Sequence, residues 1–507
     1  MDSSSNLNNS ALFSHQEYGN KIHMHDDDGQ EEESSNWNMN QPRLHLSTSF
    51  LTSAVDMNVT SLPLIHQDPK GWHFVSANLR KMAAGRGNLD VVLYLIETFL
   101  EEFSPGFNAD ILKRYFESLK NADKDVHKDI FCQLAKLILR TPELFSNTIN
   151  LLVPNEFEKV SLSKTQCLCL IAHMFMCISL APQQNRVVHF GYIFHQVPNS
   201  DKLAENVQIE KIKCLVNYFA QALKEEGERT IVFERIAAEG IKDSEHGKYY
   251  KIGNEDCSLD AWKSCTDKLR GFSYEEGGIK GGPTTIEIAF SGLTFGGHTL
   301  LFAAIQQEII ILRSPECLPG FLLFQGQMND GEAFCIAGAR YFNQCIGYGS
   351  TFQWKCPYKE DASEFSKKKT VFIDAYNFKR QGASMLQFSD EKIQRELTKA
   401  FIGFLPHVND GRNVSTGGWG SGLFRGNIYL KFLLQWIAAS RAKRKMEFYA
   451  FGNKMSSDLI EKVKKRYEGK EIKDLMADIL ICAKNAPKEN NKDYDFLAAM
   501  NKEFNWK

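Results

Sequence analysis

Residues 286–317 read IEIAFSGLTFGGHTLLFAAIQQEIIILRSPEC. Ile286 to Phe290 is a short apolar run with β-branched residues, which predicts a buried strand. Gly292, Gly296 and Gly297 then break the chain into a loop, since glycine allows backbone angles and close approaches that a side chain forbids. Leu300 to Leu312 follows, apolar nearly throughout, with a polar island of Gln306, Gln307 and Glu308. A carboxylate among Ile305, Ile309, Ile310 and Ile311 is costly to bury, so it is either paired or working. Glu308 is therefore a candidate general acid.

The chain has 507 residues, enough for two to three domains. Its 43% hydrophobic and 24% charged content is that of an ordinary globular chain. A net charge of −2 predicts no bulk attraction to DNA or RNA, although a nucleotide-like ligand needs only a local pocket. The cysteines are scattered without a CxxC pair. Cys167 and Cys169, beside Cys177 in an apolar run, read as buried reduced thiols rather than metal ligands, and no metal or cofactor is expected. MDSSSNLNNS lacks the basic and apolar regions of a signal peptide. The longest apolar run, Cys167 to Ala181, is shorter than the roughly 20 residues of a membrane span and contains His173. The expectation is an intracellular chain, cytoplasmic or nuclear, with no membrane partner.

Residues 1–65 are rich in Ser, Asn, Asp, Glu and His, with acidic runs at Asp26 to Asp28 and Glu31 to Glu33. That composition predicts a disordered acidic tail, or a docking segment around Trp37 or Leu44 to Leu51. Residues 66–228 read as all-helical. Asn88 is the N-cap of LDVVLYLIETFLEEF, whose Val92, Leu95, Ile96, Phe99, Leu100 and Phe103 share one face. Ile130 to Leu139 and Gln208 to Leu223 are further amphipathic helices. Ser163 to Ala181, apolar all round, predicts a helix central to a bundle, ended by Pro182. From 229 to 507 strands alternate with helices. The predicted strands are Thr230 to Phe233, Ile286 to Phe290, Phe321 to Gln325, Ala333 to Ala337, Thr370 to Ala375 and Glu447 to Phe451. Helices are predicted at Asp390 to Leu405, with Ser389 as N-cap, at Phe424 to Ser440, and along residues 455–507. This alternation predicts an α/β sheet covered by helices on both faces.

A second motif, residues 415–427, reads STGGWGSGLFRGN before a helix. Gly417, Gly418, Gly420 and Gly422 let backbone N–H groups point into one concavity, and the helix N-terminus adds a positive dipole end. The result is either a diphosphate cradle or a tight structural turn.

These motifs resemble those of the poly(ADP-ribose) glycohydrolase family. Gly296-Gly297, a spacer of eight residues and Gln306-Gln307-Glu308 are similar to its glycine-rich loop and Gln-Glu-Glu signature, and the likeness continues to Pro315-Glu316. STGGWGSG resembles its Thr-Gly-Asn-Trp-Gly-Cys-Gly loop, with Gly418 for Asn and Ser421 for Cys. The resemblance implies a macrodomain-like, three-layer α/β/α catalytic domain preceded by an all-helical accessory domain, residues 66–228. It implies poly(ADP-ribose) or ADP-ribose as ligand. Tyr348 in CIGYGSTFQW and Phe451 in FYAFGN would then flank the adenine, and Glu275, or its neighbour Glu276, would hydrogen-bond it. Gly296, Gly297 and Gln306 would complete the ligand contacts together with Gly417, Gly418, Trp419, Gly420, Ser421 and Gly422.

The family pattern is altered where its chemistry lies. Gln307 replaces the first glutamate, Phe295 the first of three glycines, and Glu287 and Phe290 stand for the strand's Asp and Asn. The implied catalytic set is Glu308, Gln307 and Glu287. Glu308 would protonate the leaving ribose oxygen and then activate water, releasing ADP-ribose from ribose–ribose O-glycosidic bonds. Gln307 cannot ionise, and Phe290, Phe295 and His298 add bulk to the loop. A second reading is therefore a weak or inactive pseudoenzyme, serving as an ADP-ribose reader or as a structural part of a larger protein assembly.

Overall fold

A computed structural model describes residues 60–85, 88–178, 188–196, 202–243, 247–301, 304–359, 368–379, 384–406, 410–452, 455–487 and 494–506. The chain divides into two compact units, Met1–Phe50 and Leu51–Lys507, and the described residues belong to the second. Trp37, Leu44 to Leu51 and Pro182 lie outside the described residues. The end of the predicted tail is structured: Leu62, Leu64 and Ile65 are buried, and Ser61–Leu62 pairs antiparallel with Ile149–Asn150.

The centre is an eight-stranded sheet. In chain order its strands are β1 (Glu158–Ser163), β2 (Thr230–Ala237), β3 (Phe272–Glu275) and β4 (Thr285–Ser291). They continue as β5 (Glu332–Ala337), β6 (Lys369–Asp374), β7 (Asn413–Gly417) and β8 (Met446–Tyr449). Their order in space is β1-β2-β5-β6-β4-β7-β8-β3. Strands β6, β4, β7, β8 and β3 run parallel, and the β1–β2, β2–β5 and β5–β6 pairs are antiparallel.

Successive side chains of a strand point to opposite faces, so a central strand needs cover on both. One cover is made by α1 (Pro69–Ala83), α2 (Leu89–Phe103), α3 (Asp110–Ser118), α4 (Asn121–Leu139), α5 (Lys164–Phe175), α6 (Lys202–Ala222) and α7 (Gln306–Arg313). Their buried side chains form one continuous core with Ala289, Phe334, Ile336 and Phe372 of the sheet. The opposite face, with Ile286, Ile288, Val371 and Ile373, is covered by α8 (Asp390–Phe404), α9 (Ile428–Arg441), α10 (Ser457–Tyr467), α11 (Ile472–Lys484) and α12 (Phe496–Phe504). The result is the three-layer α/β/α arrangement that the alternation of elements predicts.

Local signals explain most boundaries. Asn88 accepts from Val91 N–H at 3.1 Å and Ser389 from Lys392 N–H at 3.3 Å, as N-caps do. Ser163 is both the last residue of β1 and the cap of α5. The half expected to be all-helical thus lends a strand, alternately buried and exposed, to the sheet. Helix α5 is buried on every side, and Cys167, Cys169 and Cys177 are buried free thiols.

Phe321 to Gln325 is not a strand. Gly320–Leu323 is a helical turn after Pro319, and Phe324 makes a single parallel bridge to Leu152. A short buried apolar run has the same pattern in either conformation. Strand β7, in turn, reads as polar because Ser415 and Thr416 are buried with their hydroxyls satisfied, donating to Lys280 O at 2.8 Å and Gln435 Oε1 at 2.6 Å.

Among the buried histidines of the helical half, His173 and His189 are the most completely removed from water. His173 Nε2 lies 2.8 Å from Thr141 Oγ1; His189 Nε2 lies 2.8 Å from Ser104 Oγ, and its Nδ1 accepts from Gly191 N–H. Burial pushes each imidazole down to about 3. Below roughly pH 6.5 the unfolded chain binds these protons and the folded chain does not, so stability falls as pH drops from there toward about 3. Denaturant midpoints measured between about pH 7 and pH 4 are expected to fall, and to fall less steeply in His173→Gln. An unchanged slope in that variant would contradict the assignment.

Candidate active site

Helix α7 begins at Gln306, so Glu308 lies in its first turn, where amides lack intrahelical acceptors. Glu308 Oε2 accepts from Ile305 N–H at 3.1 Å, the carboxylate half of a capping box. Its Oε1 reaches across the glycine loop to His298 N–H at 2.9 Å. Gln306 latches the helix start to the end of β4: Oε1 accepts from Phe290 N–H at 2.7 Å and Nε2 donates to Ile288 O at 2.9 Å. Strand, loop and helix are thus joined by two polar side chains of one helical turn, Gln306 and Glu308. The loop closes this tightly only with glycine. Gly297 has φ +50°, and a β-carbon there would lie 2.5 Å from both Glu308 Oε1 and Gln307 Nε2. Gln307 is buried, and its Oε1 has no hydrogen-bond partner among the described residues.

The bulky loop residues leave this space alone. Phe295 turns into the core, with its ring 4.9 Å from that of Phe372, 5.0 Å from Phe324 and 5.4 Å from Phe321. Phe290 packs against the opposite-face core, and His298 is exposed. Nor does Glu287 join Glu308. Its carboxylate accepts from Tyr341 OH at 2.7 Å and Thr370 Oγ1 at 3.3 Å, with Lys368 Nζ at 3.5 Å and an Arg313 guanidinium nitrogen at 3.9 Å. Arg313 ends α7, about 7.5 Å along the axis from Glu308. Glu287 is a paired carboxylate within the sheet rather than a second acid beside the first.

The other candidates gather at the C-terminal ends of the parallel strands, where open sheets collect ligands. Strand β3 ends at Glu275, which is exposed. Ala450 N–H donates to Glu275 O at 2.9 Å and Phe451 N–H to Gly277 O at 3.3 Å, so the ends of β3 and β8 form one rim. Phe451 adopts φ +44°, a region sparsely used by residues with side chains, and the residue is 59% exposed. Tyr348 tips the hairpin formed by Asn343–Ile346 and Gln353–Pro357, between Gly347 (φ +75°) and Gly349 (φ +59°). Gly349 N–H donates to Ala304 O at 2.8 Å, tying this tip to the start of α7. The Tyr348 and Phe451 rings stand 5.5 Å apart at 49°. Tyr348 is 42% exposed as a residue, but its hydroxyl end is desolvated and near Glu308, and both effects raise its pKa. An exposed aromatic pair held by strained or glycine-dependent turns suggests a binding platform. Gly347 and Gly349 were not singled out from the sequence, where Gly-Tyr-Gly was their only signal.

Strand β7 runs into the second glycine loop. Gly417 passes so close to β8 that a β-carbon would lie 2.4 Å from Tyr449 O, and Gly420 has φ +70° with Ala375 2.5 Å from its β-carbon position. Some loop amides are used internally: Trp419 N–H donates to Gly417 O and Ser421 N–H to Gly418 O. Ser421 Oγ is buried without a partner among the described residues. Trp419 is fully buried and forms the loop's floor, with Lys431 Nζ 4.0 Å from its ring centroid. Lys431 pairs with Glu396, next to the buried Asp374–Lys399 pair at 2.8 Å. Helix α9 starts only at Ile428, capped by Asn427 Oδ1, which accepts from Leu430 N–H at 3.0 Å. Its N-terminus is therefore six residues beyond Gly422.

Comparison with known proteins agrees with this architecture. Residues 259–458 match the family model described as poly(ADP-ribose) glycohydrolase, macro domain fold, and residues 119–235 match the one described as its helical domain. The molecule is thus a macro-domain protein with a helical N-terminal domain. Poly(ADP-ribose) glycohydrolase 1 of Caenorhabditis elegans is 27% identical over 416 residues, covering 78% of this chain and 49% of the relative. Poly(ADP-ribose) glycohydrolase 2 of the same organism is 26% identical over 430 residues, covering 82% of each. Probable poly(ADP-ribose) glycohydrolase 2 of Arabidopsis thaliana is 28% identical over 356 residues, covering 60% of this chain and 65% of the relative. The chain belongs to the poly(ADP-ribose) glycohydrolase family, and spans about half the length of the first of these relatives.

The loop geometry has a direct test. Gly297→Ala meets both a left-handed backbone and two polar atoms at 2.5 Å, whereas a β-carbon at Gly292 meets nothing within 4 Å. Gly297→Ala is expected to lower stability by about 1–3 kcal/mol and Gly292→Ala by far less, read from denaturant midpoints. Equal midpoints would contradict the close packing of the loop on Glu308.

Proposed function

We propose that this chain hydrolyses the ribose–ribose O-glycosidic bonds of poly(ADP-ribose) and releases ADP-ribose. The observation that carries this reading is the placing of Glu308, a buried carboxylate held by two backbone amides at the sheet edge that also bears the Tyr348–Phe451 pair. The relatives named as poly(ADP-ribose) glycohydrolases support it. The Tyr348 and Phe451 rings, 5.5 Å apart and tilted by 49°, leave no space for a base between them, so in the proposed pose adenine lies against the exposed side of the pair rather than flanked by it, with Glu275 at its edge. The diphosphate lies along residues 417–422, and the scissile ribose lies over Gln306, Gln307 and Glu308.

Protonated Glu308 gives its proton to the leaving ribose oxygen as the C–O bond breaks through an oxocarbenium-like state. The resulting carboxylate takes a proton from the water that adds to the anomeric carbon, which restores the acid. Gln307 Oε1 can accept a hydrogen bond from a ribose hydroxyl, which would satisfy an otherwise unpaired buried oxygen. Gln307 offers no negative charge to the developing cation, so turnover is slower than with two adjacent carboxylates. The inward turn of Phe295 and the exposed His298 remove the bulk that favoured a purely structural role.

Release of ADP-ribose by the purified chain is expected to fall by roughly 10²–10⁴-fold in Glu308→Gln and to rise in Gln307→Glu. Equal release by wild type and Glu308→Gln would sink the assigned chemistry. A folded wild type that binds ADP-ribose but releases none would establish the reader instead. On the binding side, Phe451→Ala removes one stacking face worth roughly 1–3 kcal/mol. Calorimetry should then show ADP-ribose affinity weakened about 5- to 150-fold, and unchanged affinity would remove Phe451 from the site.

A further inference from the structure

We infer that Lys211, on helix α6 of the helical half, is a positioning residue for Glu308: its ammonium holds the carbonyl side of the glycine-rich loop whose amide side grips the carboxylate. As an account of turnover this rests on the glycohydrolase reading; as an account of loop geometry it does not. Lys211 is fully buried. Its Nζ donates to Leu301 O at 2.6 Å, Thr299 O at 2.9 Å and His298 O at 3.3 Å. An ammonium has three donors and no acceptor, so main-chain carbonyls are suitable partners for it.

His298 is therefore held from both sides. Its N–H goes to Glu308 Oε1 at 2.9 Å, and its carbonyl accepts from Lys211 and from Leu301 N–H. The two residues before it, Gly296 (φ +83°) and Gly297 (φ +50°), have little conformational preference of their own. A loop built this way takes its shape from what grips its ends. A buried ammonium is costly and persists where carbonyl or carboxylate groups repay its lost hydration. Burial pushes the Lys211 amine down to about 7, and Glu308 is the first influence opposing that fall, so the two groups sense each other across the loop. The helical half thereby supplies a part without which the macro-domain site is incomplete. No sequence motif marks this lysine, because its partners are main-chain carbonyls.

The test uses the full chain with Lys211→Met, which keeps most of the volume and removes the donors, and Lys211→Arg, which keeps charge and donors. The readouts are kcat and KM for ADP-ribose release, and amide hydrogen exchange along residues 295–301. In Lys211→Met, kcat should fall on the order of 10²-fold with KM within about threefold, as a misplaced but still accessible acid would give. Exchange at 295–301 should accelerate while that of β4 and β6 stays unchanged, and Lys211→Arg should recover part of both. Wild-type kcat in the methionine variant, or lost kcat with unaltered loop exchange, would overturn the assignment. If the wild type releases no ADP-ribose, the exchange measurement alone decides the loop clamp, so the failure of one reading is separable from that of the other. Should the methionine variant not fold, Lys211→Arg decides: a loosened loop with partial loss of kcat supports the clamp, and lost kcat over a wild-type loop overturns it.

Discussion

The Glu308 carboxylate is held by two main-chain amides that lie ten and three residues before it in the chain. The rest of the site follows from that requirement. One amide belongs to the unpaired first turn of a helix, so the carboxylate must sit near a helix start. The other belongs to a loop returning from the preceding strand, so strand, loop and helix must meet at one point. Gln306 joins the strand end to the helix, and Gly297 removes the β-carbon that would separate loop from carboxylate. The two amides orient the carboxylate through one hydrogen bond to each of its oxygens.

Other buried carboxylates are treated differently. Glu287 faces Lys368 and Arg313, Glu316 pairs with Arg229, Glu332 with Arg235, and Asp374 with Lys399 and Arg395. Removing one partner of such a buried pair would leave an uncompensated charge in the interior, so each pair ties together the elements that carry it. The sheet they fix has apolar cover on both faces. Chemistry is therefore confined to the strand ends, where β3, β4, β7 and β8 release their loops in one direction.

Much of this was legible in the sequence wherever a residue's surroundings are set by its chain neighbours. The caps at Asn88 and Ser389, the all-round burial of α5 and the strand–glycine–helix order around Glu308 are of that kind. Long-range effects were not legible. Strand β7 hides behind Ser415 and Thr416, whose acceptors are Lys280 and a glutamine on α9. The helical turn at Gly320–Leu323 carries the same apolar run as a strand. Phe295 reads as bulk in a ligand loop until its core partners Phe324 and Phe372 are seen. The family resemblance placed Tyr348 and Phe451 in one site, and their rings do meet. It also grouped Glu287 with Glu308, which the ion pairs around Glu287 do not support.

The central claim is that one sheet edge binds a single ADP-ribose unit from its aromatic pair to Glu308. The most direct measurement is a crystal structure of the chain with ADP-ribose bound. The expected result is adenine against Tyr348 and Phe451, the diphosphate along residues 417–422, and the terminal ribose within hydrogen-bond reach of Gln306, Gln307 and Glu308. Ligand bound away from this edge, or a ribose turned away from Glu308, would contradict it.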